Sequence, residues 1–325
     1  MATGWSLRFP LRMKQPRSVV MVGNFDGVHA GHAALAARAR QVADAAVTPT
    51  RVVALAFDPH PITLLRPGTT PERLTTFQQR AAYLGRLGVD EVVRLEPTGN
   101  LLSESPEQFV ARVVEDLSPI AVVEGPDFRF GRGRSGDIQT LRRLGASHGF
   151  EVHIVDPVSV VLTDQTTAVA SSTLARWLVA QGRVGDVRAV LGRPYEMAGV
   201  VVKGDRRGRT IGYPTANIDS ACLSPADGVY SGIAALEDGR VFGAAISVGT
   251  KPTFGPGARA VEAYLLDALP EPRSDSGAIR GLPEYGWPIR LEVHHWLRDQ
   301  VRFGSLAELL GQMARDCRRV RELQG

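Results

Sequence analysis

The chain has 325 residues, of which 44% are hydrophobic and 22% are charged, and its formal net charge at pH 7 is +4. This length exceeds what one hydrophobic core organises, so we expect a globular protein of two domains. Lys14, Lys203 and Lys251 are the lysines among 38 basic residues, and the arginines are scattered along the chain. Such a distribution argues against nucleic-acid binding as a primary role, because that role needs concentrated positive charge.

Cysteine content and hydropathy exclude further classes. Cys222 and Cys317 lie far apart without zinc-ligand spacing, so we expect no structural zinc and a reducing compartment. The first residues lack the apolar core of a signal peptide, and no run of about eighteen apolar residues is present to span a membrane. We expect a cytoplasmic protein, a monomer or weak oligomer, with no membrane or nucleic-acid partner.

The first half alternates short β-branched runs with longer helical patterns, which is typical of a parallel sheet covered by helices on both faces. The predicted strands span residues 19–22, 52–57, 91–95, 120–123 and 152–155, and the predicted helices span 33–45, 76–87, 107–116 and 138–147. Ligands bind such sheets beyond the carboxyl ends of the strands. We therefore expect the chemistry in the loops that follow the strands.

After about Ser171 the pattern changes to short helices and then to strands. The predicted helices span 172–181 and 185–191, and the predicted strands span 196–202, 228–236, 240–248, 261–267 and 289–297. Turn signals such as Asp238-Gly239 separate the strands, which predicts antiparallel hairpins in a small barrel. A final amphipathic helix, 306–323, opens at Ser305, and Glu308 three residues later completes a capping box. We expect the domains to be residues 1–187 and 188–325.

The densest motif of the first half, GNFDGVHAGH, follows the first predicted strand and leads into the first helix. Its glycines, Gly23, Gly27 and Gly31, permit a tight turn and a close approach of the backbone to a ligand. The helix N-terminus offers unpaired N–H groups to a phosphate, and His29 and His32 add side-chain donors. The alternative is a pair of histidines that only cap the turn. Two histidines three residues apart behind a strand favour a functional site.

This motif resembles the H-x-G-H signature of the nucleotidylyltransferase superfamily, and later segments are similar to its FMN adenylyltransferase (FAD synthetase) branch. These segments are FDPHP at 57–61, GPDFRFGRGRSGD at 125–137 and SST at 171–173 with Arg176. For each segment alone, ordinary turn chemistry is the alternative, and Phe57, Phe128 and Phe130 equally suit a hydrophobic core. One departure is Leu174, where the family has an arginine.

The resemblance implies a reaction and assigns residues to it. FMN would attack the α-phosphorus of ATP, release diphosphate and form FAD without a covalent enzyme intermediate, while Mg²⁺ accompanies the triphosphate. The implied catalytic residues are His29 and His32. The implied ATP- and phosphate-binding residues are Gly23, Asn24, Gly27, Gly31, Ser171, Ser172, Thr173 and Arg176. The implied flavin-binding residues of this half are Phe57, Pro59, His60, Asp127, Phe128 and Arg129.

A second dense motif, KGDRRGRTIGYPTANI, spans residues 203–218 and lacks the order of a Walker A loop. Gly204, Gly208 and Gly212 would let the backbone cradle phosphates. Thr215 and Asn217 offer neutral oxygens suited to Mg²⁺ beside the phosphates of ATP. The alternative is a polar turn with a capping asparagine.

This motif resembles the riboflavin kinase signature, and GVY at 228–230, SVGTKPTFG at 247–255 and the segment 298–316 are similar to later parts of that family. In VEAYLLD, Glu262 stands where the family places its catalytic carboxylate, and a salt bridge at a strand edge is the competing account. The resemblance also implies Pro214 as an ATP contact and Arg298 and Phe303 as flavin contacts. Lys251 replaces an asparagine of the family, and residues 267–286 form a longer segment that we expect to be a mobile loop.

The leading hypothesis is a bifunctional α/β enzyme: a Rossmann-like nucleotidylyltransferase domain, then a small antiparallel β-barrel riboflavin kinase domain with a C-terminal helix. Its substrates and products would be ATP, riboflavin, FMN and FAD. A second hypothesis keeps the adenylyltransferase but gives the C-terminal half flavin binding with reduced or lost kinase activity. A third is a regulatory flavin- or RNA-binding protein on an enzyme scaffold. Another adenylyltransferase specificity would leave the kinase-like half unexplained.

Overall fold

The computed structural model describes residues 16–66, 68–204, 208, 211–250, 259–268 and 279–324. Contacts divide the chain into two compact units. The first comprises Met1–Pro71 and Phe77–Ser159, and the second comprises Glu72–Thr76 and Val160–Gly325. The predicted limits of the functional domains, 1–187 and 188–325, stay a prediction, since packing groups residues 160–187 with the second unit.

A five-stranded parallel sheet organises the first unit, with the order β3-β2-β1-β4-β5. The strands are β1 (Arg17–Gly23), β2 (Thr50–Phe57), β3 (Glu91–Leu95), β4 (Pro119–Glu124) and β5 (Glu151–Ile154). The helices are α1 (Ala30–Asp44), α2 (Ile62–Leu65), α3 (Phe77–Arg86), α4 (Gly99–Ser103), α5 (Pro106–Leu117) and α6 (Ile138–His148). From β1 the chain builds the sheet outward to β2 and β3 on one side, and then to β4 and β5 on the other side. Such sheets bind ligands at the point between β1 and β4 where the two sides meet.

The central strands are buried on both faces, as their continuous apolar sequence predicts. Val20 and Val22 of β1 belong to one apolar cluster with residues of α5 and α6. Val19 and Met21 point to the opposite face and join a second cluster with residues of α1 and α3. Successive side chains of a strand alternate between faces, so one strand supplies both cores. The predicted parallel sheet with helices on both faces is confirmed.

The longer segment of the second unit opens within a hairpin that the sequence did not reveal. Its strands are β6 (Ser159–Val161) and β7 (Thr167–Val169), and helices α7 (Ser172–Ala180) and α8 (Val184–Leu191) follow. The buried Asp186 carboxylate accepts the Thr163 N–H at 2.6 Å and the Arg183 Nε–H at 2.6 Å, and Arg183 also reaches Asp164 at 2.8 Å. The hairpin turn is therefore attached to the start of α8.

Six strands of the described chain close an antiparallel barrel in the order β10-β11-β12-β9-β8-β13. They are β8 (Tyr195–Val202), β9 (Ala216–Ser220), β10 (Gly228–Leu236), β11 (Val241–Gly249), β12 (Ala260–Leu265) and β13 (Pro288–Arg298). The last helix, α9 (Leu306–Gln324), packs Cys317 and Val320 against Leu266, beside Tyr213 and Tyr264. The predicted barrel with a C-terminal helix is confirmed.

The predicted capping box at the start of α9 is present in part, because the hydroxyl bond forms but the return bond reaches the residue before Ser305. The Ser305 hydroxyl accepts the Glu308 N–H at 3.2 Å, and the Glu308 carboxylate accepts the N–H of Gly304 at 3.0 Å. The strand predicted for 261–267 ends at Leu265, because Asp267 adopts a left-handed conformation with φ +60°. Among the described residues, none of the helices combines the length and the apolar character that a bilayer crossing requires.

Candidate active sites

The turn between β1 and α1 is held in an unfavourable backbone conformation. Phe25 and Val28 have φ values of +50° and +43°, and both side chains are buried, while Gly27 has φ +80°. A positive φ at a residue with a Cβ costs about 1–3 kcal/mol and persists only where the surroundings enforce it. Such strain concentrates at functional sites, and here it occurs at the carboxyl end of the central strand.

The two predicted histidines lie together at the start of α1. Their rings stack with centroids 3.7 Å apart, and His32 Nδ1 accepts the backbone N–H of His29 at 3.3 Å. The helix begins at Ala30, three residues earlier than predicted, because His29 with its extended backbone is the N-cap residue. Both imidazoles are therefore at the helix N-terminus, whose partial positive charge attracts anions.

Unsatisfied polar atoms mark this turn. Within the part of the chain that the structure describes, His29 Nδ1 and Asn24 Oδ1 are buried without a hydrogen-bond partner. Burial lowers the pKa of His29 to about 4, and the nearby Asp26 opposes this shift only in part. The His29 imidazole is therefore neutral at pH 7. Capping accounts for both imidazoles, since the His29 side chain faces the backbone N–H of His32 and His32 Nδ1 accepts that of His29. It does not account for Asn24 Oδ1, whose partner a bound ligand would supply.

A cavity of about 600 Å³ opens beside the turn. This volume lies within the range of ligand pockets. Of the predicted site residues, it is lined by Gly23, Asn24, Phe57, His60, Asp127, Phe128 and Arg129. Pro59, which follows Asp58 through a cis peptide bond, is not among the lining residues. The structure thus brings together most of the residues assigned to flavin binding.

The aromatic wall of the cavity depends on two glycines of the loop after β4. Phe128 and Phe130 are stacked with centroids 5.4 Å apart, and Phe130 is buried in the core. A Cβ at Gly136 would lie 2.8 Å from the Phe130 ring, and one at Gly131 would lie 2.7 Å from the backbone nitrogen of Pro106. Gly136 therefore leaves room for the Phe130 ring, and Gly131 lets the loop pack closely on Pro106. Phe128 offers the cavity a flat apolar surface that suits a planar ring.

The cavity has a basic rim that sequence analysis identified only at Arg129. Arg66 and Arg134 also line it, whereas Asp127 is its acidic lining residue. Arg129 forms an ion pair with Asp137 at 3.3 Å. Guanidinium groups bind phosphate through charge-assisted hydrogen bonds. The combination of a flat apolar wall and a basic rim fits a phosphorylated aromatic ligand.

Glu124, which sequence analysis also missed, is a buried carboxyl group at the end of β4. It is 3% exposed, and its Oε1 accepts the Val22 N–H at 2.6 Å. Burial raises the pKa of Glu124 well above its usual value, although the hydrogen bond from Val22 opposes the shift. Its position next to the carboxyl end of β1 could be read from sequence only once the strand order was known.

The predicted phosphate-binding segment at 171–176 belongs to the second unit. The turn between β1 and α1, residues 24–29, which we call the histidine turn, belongs to the first. The Ser171 hydroxyl accepts the Leu174 N–H at 3.1 Å and caps α7, and Ser172 and Thr173 form the first turn of that helix. Arg176 Nε donates to the carbonyl of Glu72 at 2.7 Å. This segment has the helix start that the prediction required, and its role in phosphate binding stays a prediction.

In the barrel, strand register places Glu262 between two polar side chains. Glu262 lies directly opposite Asn217 of β9 and Ser247 of β11. Val261 and Ala263 are buried inside the barrel, so Glu262 projects from the outer face. Directly opposed residues have Cβ atoms about 4.5–5.5 Å apart, so the three side chains form one row. β12 has neighbours on both sides and is therefore not an edge strand, and the catalytic role of Glu262 stays a prediction.

The glycines of the second motif pack directly on its predicted metal ligands. A Cβ at Gly204 would lie 2.2 Å from Nδ2 of Asn217. A Cβ at Gly208 would lie 2.2 Å from the carbonyl of Tyr213 and 3.5 Å from the Thr215 hydroxyl, and Gly212 has φ +83°. The hydroxyl and amide oxygens are hard donors of the kind that Mg²⁺ prefers. This arrangement fits a Mg²⁺-bound phosphate beside Pro214, which connects Tyr213 to Thr215.

The predicted flavin contact Arg298 and the segment after β13 are anchored by two residues that sequence analysis did not single out, Asp316 and Gln300. Arg298 donates from Nε and Nη2 to the carboxylate of Asp316 on α9 at 2.8–3.1 Å, and its guanidinium lies 5.7 Å from the Phe303 ring centroid. Gln300 Nε2 donates to the Ser247 hydroxyl at 2.9 Å and to the carbonyl of Val248 at 3.0 Å. Flavin contacts of Arg298 and Phe303 stay a prediction.

Two departures noted in the sequence concern residues outside the described part of the chain. Lys251 and residues 269–278 of the longer segment are in this group, as are residues 205–207, 209 and 210 of the glycine-rich motif. The prediction of a mobile loop at 267–286 stays a prediction.

Comparison with known proteins assigns each half separately. The family model for FAD synthetase matches residues 11–173, and the model for riboflavin kinase matches residues 191–324. The bifunctional riboflavin kinase/FMN adenylyltransferase of Escherichia coli K12 is 32% identical, and the match covers 96% of this chain and 94% of that protein. The protein of the same name from Pseudomonas fluorescens is 34% identical, and the match covers 96% and 95% of the two chains.

A solved structure also shares the fold. A protein from Streptococcus pneumoniae, described as a macrolide-efflux protein, is 28% identical and gives a TM-score of 0.80, with 96% of each chain covered. Its description names a different role, so it supports the fold alone. The two family models and the curated relatives show the family: this chain belongs to the bifunctional riboflavin kinase/FMN adenylyltransferases.

Proposed function

We propose that this chain is a transferase with two activities: it phosphorylates riboflavin to FMN in its C-terminal part and adenylylates FMN to FAD in its N-terminal part. One observation carries the proposal. Each stretch matched by its own family model contains its own glycine-rich turn with buried or closely packed polar groups beside it. We assign one ATP molecule to each turn, one for each reaction.

For adenylyl transfer, the cavity would hold the flavin ring of FMN against Phe128, with its phosphate toward the basic rim. An oxygen of that phosphate would attack the α-phosphorus of ATP, and the bond to the β-phosphate oxygen would break to release diphosphate. The neutral His29 would donate a hydrogen bond to the triphosphate, and His32 would add a second donor. The phosphate's negative charge would favour the protonated form of His29. Catalysis by positioned donors needs no covalent intermediate.

We assign the remaining contacts of this reaction on the family resemblance. Ser171, Ser172 and Thr173 would meet the leaving diphosphate at the start of α7, together with Arg176. The absence of an arginine at Leu174 leaves Arg176 as the cation of this segment. The hydroxyl cap at Ser171 supports this assignment, because the same helix start presents N–H groups to an anion.

For riboflavin phosphorylation, Glu262 would accept the proton of the riboflavin 5′-hydroxyl, whose oxygen would attack the γ-phosphorus of ATP, and ADP would leave. The row formed by Asn217, Glu262 and Ser247 supports this role, because it places a carboxylate beside a predicted metal ligand. Thr215 and Asn217 would hold Mg²⁺. When bound, this ion would neutralise phosphate charge. The same row favours an active kinase over a flavin-binding module without turnover.

We further propose a cytoplasmic monomer or weak oligomer with no nucleic-acid partner. Its low cysteine content and scattered arginines support this proposal.

Incubation of the purified protein with riboflavin, ATP and Mg²⁺ tests the proposal. We expect FMN to appear first and FAD to follow, with one ADP for each FMN and one diphosphate for each FAD. Chelation of Mg²⁺ should stop both reactions. FAD formation from supplied FMN without FMN formation from riboflavin would overturn the kinase assignment. Tight flavin binding without diphosphate release would overturn the adenylyltransferase assignment.

A further inference from the structure

A buried arginine on α3 connects the two loops that form the adenylyltransferase site. Arg80 is 5% exposed, and its Nη1 donates to the backbone carbonyls of Asn24 at 2.7 Å and Phe57 at 2.8 Å. Its Nη2 pairs with the carboxylate of Asp58. Asn24 belongs to the histidine turn after β1, Phe57 is the last residue of β2, and Asp58 begins the loop after it. One side chain therefore fixes the positions of both loops.

The bond to Asn24 acts on the strained part of the histidine turn. The carbonyl of Asn24 and the nitrogen of Phe25 share one peptide plane, so the orientation of this carbonyl is coupled to the φ of Phe25. That φ is +50°, a conformation that persists only where surrounding contacts enforce it. Arg80 supplies such a contact from a helix rather than from another loop. The position of His29, four residues further along, depends on the same turn.

The charge of Arg80 is balanced within the protein. Asp58 pairs with Arg80 through Oδ1 and with Arg94 through Oδ2 at 3.1 Å, and Arg94 also lies 4.3 Å from the Phe77 ring centroid. Arg80 is not among the residues that line the cavity, whereas Asn24 and Phe57 are. Its influence on a ligand would therefore act through these two residues.

The guanidinium group is suited to this task for a geometric reason. It presents donors on separate nitrogens in a rigid plane, so it can reach two carbonyls and a carboxylate at once. A lysine ammonium keeps the charge but concentrates its donors on one atom. The side chain of Asn24 adds a second connection, since its Nδ2 lies 3.2 Å from Nε2 of His60.

We propose that Arg80 is a positioning residue for adenylyl transfer, which fixes the histidine turn relative to the wall of the flavin cavity through the carbonyls of Asn24 and Phe57. This inference rests on the proposed function of the N-terminal site. It concerns a residue outside the glycine and histidine motif, and it assigns to α3 a part in the geometry of the reaction.

Substitution of Arg80 by lysine tests the inference, with the kinase reaction of the same polypeptide as an internal control. We expect Arg80→Lys to lower kcat for FAD formation by roughly tenfold to a hundredfold, because a displacement of about 1 Å has effects of this size. The KM for FMN should change by less than about threefold, and kcat for FMN formation should not change. Arg86→Lys on the exposed face of the same helix is the matched control and should leave both reactions unchanged.

Two further variants separate positioning from charge balance and from general stability. Arg94→Lys alters the second cation on Asp58 but leaves the two carbonyl bonds, so kcat for FAD formation should stay within about twofold. In Arg80→Ala, added methylguanidinium should restore part of the lost kcat, and urea at the same concentration should not. Rescue of kcat is a response that a destabilised fold would not give.

Three outcomes would overturn the inference: full FAD formation in Arg80→Lys, an equal loss in Arg94→Lys, or a parallel loss of FMN formation. Failure of the proposed function would look different. In that case the unsubstituted chain would form no FAD, or His32→Ala would retain full activity, whatever the behaviour of Arg80.

Discussion

The two candidate sites of this chain place their reactive groups by different means. The histidine turn carries positive φ values at Phe25 and Val28 and is supported from outside by buried polar groups. The kinase row of Asn217, Glu262 and Ser247 consists of ordinary extended strand residues aligned by register. The first site therefore depends on a loop that its surroundings hold in place, and the second depends on a closed barrel. We expect the first to be sensitive to distant substitutions and the second to be sensitive mainly to substitutions in the row.

The largest effect should follow from loss of the carboxylate in the row. We expect Glu262→Gln to lower FMN formation by about 10²–10⁴-fold, the usual contribution of a positioned general base. FAD formation from supplied FMN should not change. Separate rate assays with riboflavin and with FMN provide the measurement. Glu292→Gln on β13 is the control for a carboxylate elsewhere on the barrel, and an equal effect of that substitution would contradict the assigned role.

A somewhat smaller effect should follow from loss of a donor at the turn. We expect His32→Ala to lower FAD formation by about 10²–10³-fold, as removal of one charge-stabilising donor does in other enzymes. FMN formation from riboflavin should persist. The measurement is diphosphate release with FMN and ATP. His148→Ala at the end of α6 controls for the loss of an imidazole, and equal loss of both reactions would argue against separate sites.

The smallest effect concerns stability and its dependence on pH. Because the pKa of Glu124 is raised in the folded state, its contribution to stability is complete below the unfolded pKa and is lost as pH rises through the folded pKa. Glu124→Gln keeps an acceptor for the Val22 N–H but does not ionise. We expect this variant to melt about 2–4 °C higher than the unsubstituted chain at pH 8, the shift that about 1 kcal/mol produces.

The difference in melting temperature should shrink toward pH 5, because the unfolded state then begins to bind the proton that the folded state already holds on Glu124. Calorimetry across this pH range provides the measurement. Glu115→Gln on the exposed side of α5 should show no such trend. A melting temperature for Glu124→Gln that stays below that of the unsubstituted chain at pH 8 would contradict the account.

The sequence predicted the regular parts of the molecule because their hydrophobic periods are strong. The strands of the parallel sheet and most strands of the barrel lie within a few residues of their predicted positions. The exception is β9, which was not predicted as a strand because Ala216 and Asn217 belong to the segment interpreted as a phosphate- and Mg²⁺-binding motif. The hydrophobic periodicity of a strand cannot show that Asn217 lies opposite Glu262, because this pairing depends on the barrel register and not on either strand alone.

Long-range contacts explain most of the other omissions. Arg80 and Glu124 carry no local signal, since each acts through a backbone group more than fifty residues away in sequence. The positive φ values of Phe25 and Val28 are imposed by packing, and both residue types would normally predict extended structure. The hairpin of β6 and β7 is too short for alternation to reveal it. By contrast, His29 and His32 could be found because motif, strand and helix start are adjacent in sequence.

The closed register of the barrel also governs how this protein tolerates change in chain length. A shift of β12 by one position would turn Glu262 into the apolar interior and bring Val261 or Ala263 to the outside, since side chains alternate along a strand. Insertions within β12 should therefore be excluded by selection, whereas additions between strands leave the pairing intact. Residues added to a connection such as 267–286 can therefore persist and change in sequence without moving the carboxylate of Glu262. Variation among homologous chains should concentrate in the connections and avoid the paired segments.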